Sequence, residues 1–332
     1  MAQKLSESNK ESPSKQLDLA KQKLSTDKRK IGPEKQKELN DALVKAAEEG
    51  KTKRVERLLN VGADLNAKVK REDHAGETAF MRAAMKGHAE TCELLIKHGA
   101  DVNEINEEGD CTGQTVLMCA ARIEYVNIDI FKILIDNGAK IDAKVKEGNY
   151  KGRTALMFAT WGRNAEACKL LIEKGANVNA KDSGGATALY LAIEGSNNIA
   201  HLLIDNGADV NVRPESGEHK GMTPLMVAAV WKKIGICKLL IEKGADVNAK
   251  NNDDTTALML AAMQGQTGIC ELLIEKGADV YAKNNTNWNA LKYAKWNEKK
   301  ETAEFIESTM MQKLIGKESA GIFLFNFNEC IQ

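Results

Sequence analysis

Four reactive side chains occupy equivalent places along the chain, each four residues before a threonine: His74, Cys111, Tyr150 and His219. Such groups bind metals or act as nucleophiles and bases only when the reacting atoms lie ~2–3 Å apart. Each of the four belongs to a different copy of a repeated segment, and packed helices of neighbouring copies lie ~8–10 Å apart. We therefore interpret them as contact residues, not as one metal site or a nucleophile–base pair.

Cysteines also recur at one position, fourteen residues after the threonine of their repeat: Cys92, Cys168, Cys237 and Cys270. A disulfide needs Cα atoms within ~7 Å, which stacked helices do not provide. We predict that these cysteines are small apolar core residues in a reducing compartment.

Signature motifs of catalysis are missing from the sequence. There is no Gly-x-Gly-x-x-Gly loop, no complete phosphate-binding Gly-x-x-x-x-Gly-Lys-Ser/Thr motif and no nucleophile elbow. His88 follows Gly87 in a structural setting, and His98 and His201 stand alone. We therefore expect no enzyme activity, no catalytic residue, no cofactor and no metal.

Charge and hydropathy limit which functions the protein can have. The 332 residues carry 47 Lys and Arg against 47 Asp and Glu, so the formal net charge is zero. This balance argues against binding driven mainly by phosphate charge, and we do not expect a nucleic-acid partner. No apolar run reaches the ~20 residues needed to cross a bilayer, and the first residues lack the apolar stretch of a Sec signal. We expect a cytoplasmic protein that does not bind membranes. Export by a route that needs no N-terminal signal is the alternative.

A block close to Gly-Ala-Asp-Val-Asn recurs, with its glycines at Gly62, Gly99, Gly138, Gly175, Gly207, Gly244 and Gly277. Self-similarity at a period in the thirties is typical of stacked repeats. Within a copy we predict helix, turn, helix and hairpin loop. Thr154 is a candidate helix N-cap, and Gly175 a left-handed cap after the second helix.

The repeats divide the chain into three parts. Residues 1–36 are a basic tail that we expect to be disordered. Residues 37–310 form the repeat domain, and 311–332 a C-terminal tail in which Phe323, Phe325 and Phe327 alternate as in a strand. We expect this tail to cap the last repeat, with strand addition to a partner or self-association as alternatives. The eight predicted units lie near 37–67, 78–104, 115–144, 154–181, 187–212, 223–250, 256–283 and 289–310.

Several motifs resemble the ankyrin repeat family: Thr-Pro-Leu-Met at 223–226, the Ala-Ala pairs at 83–84, 120–121, 228–229 and 261–262, and the Gly-Ala-Asp-Val-Asn blocks. The resemblance spans roughly residues 37 to 310. It implies an all-α solenoid of helix pairs with projecting β-hairpin loops. It also implies binding through the hairpin tips and the concave inner helices.

Two features depart from that family. Its usual histidine in Thr-Pro-Leu-His is replaced, so the resemblance implies that a side-chain hydrogen bond is lost and that packing replaces it. The replacements are Met81, Met118, Met157, Met226, Met259, Tyr190 and Lys292. Four of the loops are also longer, with twelve residues from the Asn position to the next threonine where compact loops have eight. Random drift is one explanation, because loop insertions cost little free energy. The equal length of the four insertions favours the other explanation, a longer reach toward a partner.

All four tryptophans fall at positions that vary among ankyrin binders. We expect Trp161, Trp231 and Trp296 at the ends of inner helices on the concave face, ~16–20 Å apart, and Trp288 on a hairpin. An exposed apolar stripe is typical of an interface. The alternative is that the rings fold back and cover neighbouring repeats. The remaining predicted contact residues are Met85, Lys86, Arg122, Ile123, Val230, Met263, Arg71, His74, Tyr150 and His219.

These observations predict a monomeric, non-catalytic module that binds another protein as an adaptor, scaffold or inhibitor. Lys-, Asn- and Ile-rich usage is typical of an AT-rich genome, and it suggests an effector of a host-associated bacterium that acts in the host cytosol. The alternative function is binding of nucleic acid or an acidic partner through Lys-rich segments.

Overall fold

The computed structural model describes residues 32–68, 75–125, 127–217 and 219–319. Within these ranges the regular structure is sixteen α-helices and one short 3-10 helix, Gly109–Cys111, with isolated antiparallel bridges at Ile105–Thr115 and Lys250–Thr256. The helices are α1 Pro33–Glu48, α2 Thr52–Asn60, α3 Ala79–Met85, α4 Ala89–Lys97, α5 Val116–Ala121, α6 Asp129–Asp136, α7 Ala155–Trp161, α8 Ala165–Glu173, α9 Ala188–Gly195, α10 Asn197–Asp205, α11 Pro224–Val230, α12 Ile234–Glu242, α13 Ala257–Met263, α14 Thr267–Glu275, α15 Ala290–Trp296 and α16 Lys300–Ser319.

The chain forms two compact units. Of the described residues, 32–68, 75–101 and 108–110 belong to the first unit, and 102–107, 111–125, 127–217 and 219–319 belong to the second. In the first unit, α1 packs on α2 and α3, and α4 packs on α2 and α3. These are two helix pairs, with α1 and α3 in one layer and α2 and α4 in the other.

A buried charge cluster joins the two pairs of the first unit. Arg82 is 3% exposed, and its Nη1 donates to the Glu77 carboxylate at 2.9 Å while Nη2 donates to that of Glu48. His88 Nε2 also donates to the Glu48 carbonyl oxygen at 2.8 Å. A buried guanidinium is tolerated because it has these acceptors.

The second unit repeats the same two-layer arrangement six times. Inner helices α5, α7, α9, α11, α13 and α15 pack in succession, and outer helices α6, α8, α10, α12, α14 and α16 pack in succession behind them. The inner helices α5, α7 and α11 are buried up to their C-terminal ends, whereas α9, α13 and α15 have partly buried residues further in, such as Leu191, Leu260 and Lys292. This is the predicted all-α repeat architecture.

Helix ends agree with the sequence patterns, except that Thr154 and Thr187 make no side-chain cap bond. Thr78, Thr115, Thr223 and Thr256 each accept a hydrogen bond from the backbone three residues on. Thr154 stands at the N-cap but makes no such bond, and its hydroxyl is buried without a partner among the described residues. Gly175 has the predicted left-handed backbone, with φ of 92°.

The histidine whose hydrogen bond was expected to be lost is absent, and in two copies methionine makes a weaker bond of its own. Thr115 and Thr223 donate their backbone N–H to the sulfurs of Met118 and Met226, at 3.5 and 3.4 Å. Thioether sulfur is a weak acceptor, so these bonds add to the packing that was predicted. At Tyr190 the buried hydroxyl instead reaches the carbonyl oxygens of Val212 and Met222, both at 2.7 Å.

Asparagine side chains connect successive copies in the second unit. Asn179 donates to the Gly207 carbonyl at 2.9 Å and accepts from the backbone of Asp209 at 2.7 Å. The same pair of bonds recurs at Asn103, Asn211 and Asn248. Each copy is thereby fixed against the next at the level of the loops.

Two ends of the repeat region differ from the expected bounds. Helix α1 begins at Pro33, inside the segment 1–36 assigned to the basic tail, and α16 continues from the last repeat through Ser319. Residues 311–319 therefore extend a helix. Residues 1–31 and 320–332, including Phe323, Phe325 and Phe327, lie outside the described residues.

Candidate protein-interaction surface

Three tryptophans lie at the C-terminal ends of inner helices in the second unit. Trp161 and Trp296 are the last residues of α7 and α15, and Trp231 directly follows α11. Their exposed fractions are 45%, 74% and 46%. The rings are therefore not sealed between neighbouring copies, and they leave large apolar areas open to solvent.

Trp161 is held by an aromatic and cationic cluster. The Arg122 guanidinium lies 5.7 Å from its ring centroid, and the Tyr150 ring lies 5.7 Å away on another side. Tyr150 also makes an edge contact with Phe158 at 5.6 Å, and Arg153 lies 5.1 Å from the Tyr150 centroid. Ring–ring and guanidinium–ring contacts of this kind stabilise a side chain in one orientation.

A second cluster surrounds the last two tryptophans. Trp288 packs edge-on against Trp296 and Tyr293, with centroids 5.4 and 5.0 Å apart. The Lys292 ammonium lies 5.3 Å from the Trp288 centroid, and Asn284 donates to the Tyr293 hydroxyl at 2.8 Å. Trp288 therefore supports Trp296 from the preceding loop.

His219 folds back from its long loop onto an inner helix. Its ring stacks on Tyr190, with centroids 5.8 Å apart, and its Nε2 donates to the carboxylate of Glu194. Glu194 lies in the last turn of α9, next to the inner-helix ends that carry the tryptophans. His219 and Tyr150 thus both return toward the inner helices.

The other predicted contact residues are less exposed or outside the described ranges. Ile123 is exposed, Arg122, Val230 and Met263 are partly buried, and all four belong to the second unit. In the first unit, Met85 is partly buried, and exposed Lys86 lies 3.9 Å from the Glu48 carboxylate. Two predicted residues fall outside the described residues: Arg71 and His74.

Sequence reasoning missed Arg163 and Glu194. Arg163 lines a cleft of about 380 Å³ with Arg122, Ile123, Glu124, Trp161 and Gly162. Its φ of 57° is left-handed, a conformation that glycine adopts at the equivalent Gly87 and Gly265. The available signal was an arginine at the position of Gly87 and Gly265, which Lys232 and Glu298 also occupy in their copies.

The repeated cysteines are buried and free, as predicted for core residues. Burial raises the pKa of Cys92, Cys168, Cys237 and Cys270 to about 12. Such thiols are poor nucleophiles at neutral pH. Cys111 is also buried and accepts a hydrogen bond from Arg122 Nη1 at 3.3 Å. No group of three or more His, Cys, Asp or Glu side chains in the described ranges could hold a metal ion.

The described helices include none that is both long and apolar enough to span a bilayer. Comparison with curated proteins gives no match. The family model described as ankyrin repeats (3 copies) matches residues 14–106, 43–145, 104–182, 127–214, 182–251 and 249–310. These matches cover most of the chain and coincide with the helix pairs of both units, so the chain belongs to the ankyrin repeat family.

Proposed function

We propose that this protein is a non-catalytic binding module that docks a partner protein on the inner-helix ends and long loops of its second unit. Ankyrin repeats are generally protein–protein interaction modules. The observation that carries the proposal is the exposure of Trp161, Trp231 and Trp296 at the C-terminal ends of the inner helices α7, α11 and α15. Tryptophan is strongly enriched among residues that dominate binding energies, and its exposure without a partner costs solubility.

The surrounding residues give this surface a fixed shape. Tyr150 and Arg122 position Trp161, Trp288 supports Trp296, and His219 is held by Glu194. A surface already ordered before binding loses less side-chain entropy when a partner docks. The protein would act as an adaptor, scaffold or inhibitor by occupying the partner's surface.

A capture experiment with a matched control tests the proposal. The full chain, its Trp161/Trp231/Trp296 triple-alanine variant and a control variant are immobilised, and captured proteins are quantified by mass spectrometry. The control replaces Val61, Ile234 and Met311, which are 56%, 41% and 43% exposed and lie at outer helices, with alanine.

We expect proteins captured by the wild type to be retained by the control and lost, at least tenfold, by the tryptophan variant. The tryptophan variant should melt lower than the control variant, because Trp161 and Trp296 lose their ring contacts. Circular dichroism should show that all three proteins are folded at the temperature of the capture, so that unfolding does not explain lost binding. Equal capture by the tryptophan variant and the wild type contradicts the proposal.

The nucleic-acid alternative has its own test. Deletion of residues 1–31 removes much of the Lys-rich segment and leaves α1, which begins at Pro33, intact. A gel shift of single-stranded RNA that weakens with salt and disappears on this deletion would favour nucleic-acid binding over protein docking. The hypothesis of a bacterial effector is tested separately, by fusing the chain to a reporter that is active only in a host cytosol.

A further inference from the structure

A short turn joins the inner helix to the outer helix in each copy of the second unit. We define each turn as running from the last residue of the inner helix to the first residue of the outer helix. Three turns contain a tryptophan, and we name them the tryptophan turns: residues 161–165, 230–234 and 296–300. They belong to alternate copies, which lie ~16–20 Å apart. The turns without tryptophan are residues 121–129, 195–197 and 263–267.

Excess positive charge occurs in the tryptophan turns and not in the other three. The first tryptophan turn carries Arg163, and the second carries Lys232 and Lys233. The third has two lysines against one acidic residue, Glu298. Of the turns without tryptophan, two contain no charged residue and one contains more acidic than basic residues. Because the whole chain has a formal net charge of zero, a basic composition does not explain this pattern.

The cations of the tryptophan turns are accessible to a partner. Arg163, Lys232 and Lys299 are exposed. Neither these three side chains nor those of Lys233 and Lys300 have a carboxylate within 4 Å among the described residues. No neighbouring charge in this part of the chain therefore neutralises them, and they give the surface around the tryptophans a positive potential.

Small residues in the turns without tryptophan leave space for two of these cations. A Cβ on Gly195 would lie 3.6 Å from Nε of Arg163, and a Cβ on Gly265 would lie 2.8 Å from Cδ of Lys299. Each glycine belongs to the copy next to that of its cation. Arg163 and Lys299 therefore both extend toward the copies that separate the tryptophan turns, and their charges lie along the row of exposed rings.

This pattern fits separate carboxylates better than a continuous row of phosphates. Nucleic acid carries a negative charge at every nucleotide. A strand bound along the row of turns would cross turns that have no excess of positive charge, and one of these follows directly after Glu194. A protein segment can instead place Asp and Glu opposite the tryptophan turns alone, with neutral residues between them.

We propose that the tryptophan turns bind an acidic segment of the partner protein, with its carboxylates on the lysines and arginine of these turns and its apolar side chains on the tryptophans. This inference rests on the proposed function and specifies the charge of the docked segment. Opposite charges raise the rate of association and disfavour basic partners, whereas the tryptophans supply the apolar contact. The two contributions can be measured separately, because salt screens only the first.

Display selection of random twelve-residue peptides against the full chain tests the inference. Twelve extended residues span up to ~40 Å, which is enough to contact two tryptophan turns. Peptides whose binding is lost in the Trp161/Trp231/Trp296 triple-alanine variant are kept. Each is also synthesised with its acidic residues replaced by their amides. Surface plasmon resonance measures association and dissociation rates at about 50 and about 300 mM salt, where screening differs strongly.

A pair of lysines in the middle tryptophan turn provides the test variant, Lys232→Gln with Lys233→Gln. A peptide that contacts two adjacent tryptophan turns always reaches this one. The matched control is Lys238→Gln with Lys276→Gln, which removes the same charge from exposed lysines in α12 and directly after α14. None of the four lysines has an ion partner among the described residues, so both variants should melt within a few degrees of the wild type.

We expect the kept peptides to be rich in Asp and Glu, and amide replacement to weaken their binding at least tenfold. The test variant should slow association at least fivefold at low salt and less than twofold at high salt, because salt screens the attraction. The control should change neither rate by as much as twofold. The reversed pair, Lys232→Glu with Lys233→Glu, should recover binding of a peptide whose acidic residues are replaced by lysine.

Other outcomes overturn the inference. They are the absence of tryptophan-dependent peptides, tryptophan-dependent peptides with no essential acid, equal effects of the test and control variants, or full competition by a single-stranded RNA. If proteins are still captured through the tryptophans while the Lys232/Lys233 variant captures them as well as the wild type, the proposed function stands and the inference of an acidic partner fails.

Discussion

The carboxylate of Asp142 accepts a hydrogen bond from the backbone N–H of Asn177 at 2.9 Å, at a position that asparagine holds in four other copies of the second unit. An asparagine amide both accepts and donates, whereas an ionised carboxylate only accepts. Asp142 therefore cannot donate to the carbonyl of Gly175 as Asn179 donates to that of Gly207.

Asp142→Asn should restore the missing donor and raise the free energy of unfolding by about 1 kcal/mol. Urea titration followed by circular dichroism measures the change. The reverse substitution, Asn179→Asp, should lower stability by a similar amount, because it removes the bond to Gly207. Unchanged stability in both variants would show that this side-chain connection between copies is energetically neutral.

Tyr190→Phe should destabilise the second unit by about 1–3 kcal/mol, because it removes the one hydroxyl proton shared by the buried Val212 carbonyl and the partly buried Met222 carbonyl. Thermal and urea unfolding measure the loss. Tyr281→Phe is the control, since its hydroxyl donates to Met310 at 2.9 Å from a partly buried position. We expect a smaller loss of stability for Tyr281→Phe than for Tyr190→Phe. A larger loss would contradict the idea that burial of the hydroxyl decides its contribution.

Gly162→Ala should cost about 1–3 kcal/mol, because its Cβ would lie 2.5 Å from the Arg122 carbonyl oxygen and must push two turns apart. Gly235→Ala should instead stabilise the protein by about 0.4–1 kcal/mol. Gly235 lies in helix α12, and a Cβ there meets no atom within 4 Å. Differential scanning calorimetry compares the two, and a stabilising Gly162→Ala would contradict the close packing of the turns.

The buried thiols should make stability fall at alkaline pH. Cys168, Cys237 and Cys270 have folded-state pKa values of about 12, against 9.0 for an ordinary thiol. In the unfolded chain the thiols ionise first, so their contribution is complete below about pH 9 and declines toward pH 12, by about 1.4 kcal/mol per pH unit for each thiol.

Urea unfolding at pH 7.5 and pH 10 measures this effect against a variant with all three cysteines changed to alanine. The wild type should lose more stability between the two pH values than the variant. If the wild type and the variant lose the same stability, titratable groups other than these three thiols cause the pH dependence. Thiol-reactive dyes at pH 8 should also label the native protein far more slowly than the urea-unfolded chain.

Much of the fold follows from spacing in the sequence. The repeated glycine blocks, the apolar helices and the left-handed Gly175 were predictable, because each depends on residues close together in the chain. The exposed ends of α7 and α15 also follow from the position of Trp161 and Trp296 in their copies. The prediction of buried, free cysteines was also confirmed, because their shared position in the repeat could be read from the spacing.

Other features depend on distance in space and could not be predicted. The cluster of Arg82, Glu77 and Glu48 joins residues up to 34 positions apart, and nothing local marks them as partners. The hydrogen bonds to the sulfurs of Met118 and Met226 depend on side-chain rotamers. The resemblance implied only that the hydrogen bond of the family's histidine would be absent.

The contacts of His219 affect how fast and how selectively this part of the surface binds another molecule. Because His219 is hydrogen-bonded to Glu194 and stacked on Tyr190, its ring already has one arrangement and does not have to find it during an encounter. Association is then not slowed by a conformational step at this residue. A partner whose surface has a slightly different shape would then bind less tightly, because the His219 ring does not move to fit it. The contacts of His219 therefore favour selective binding of one partner over binding of many.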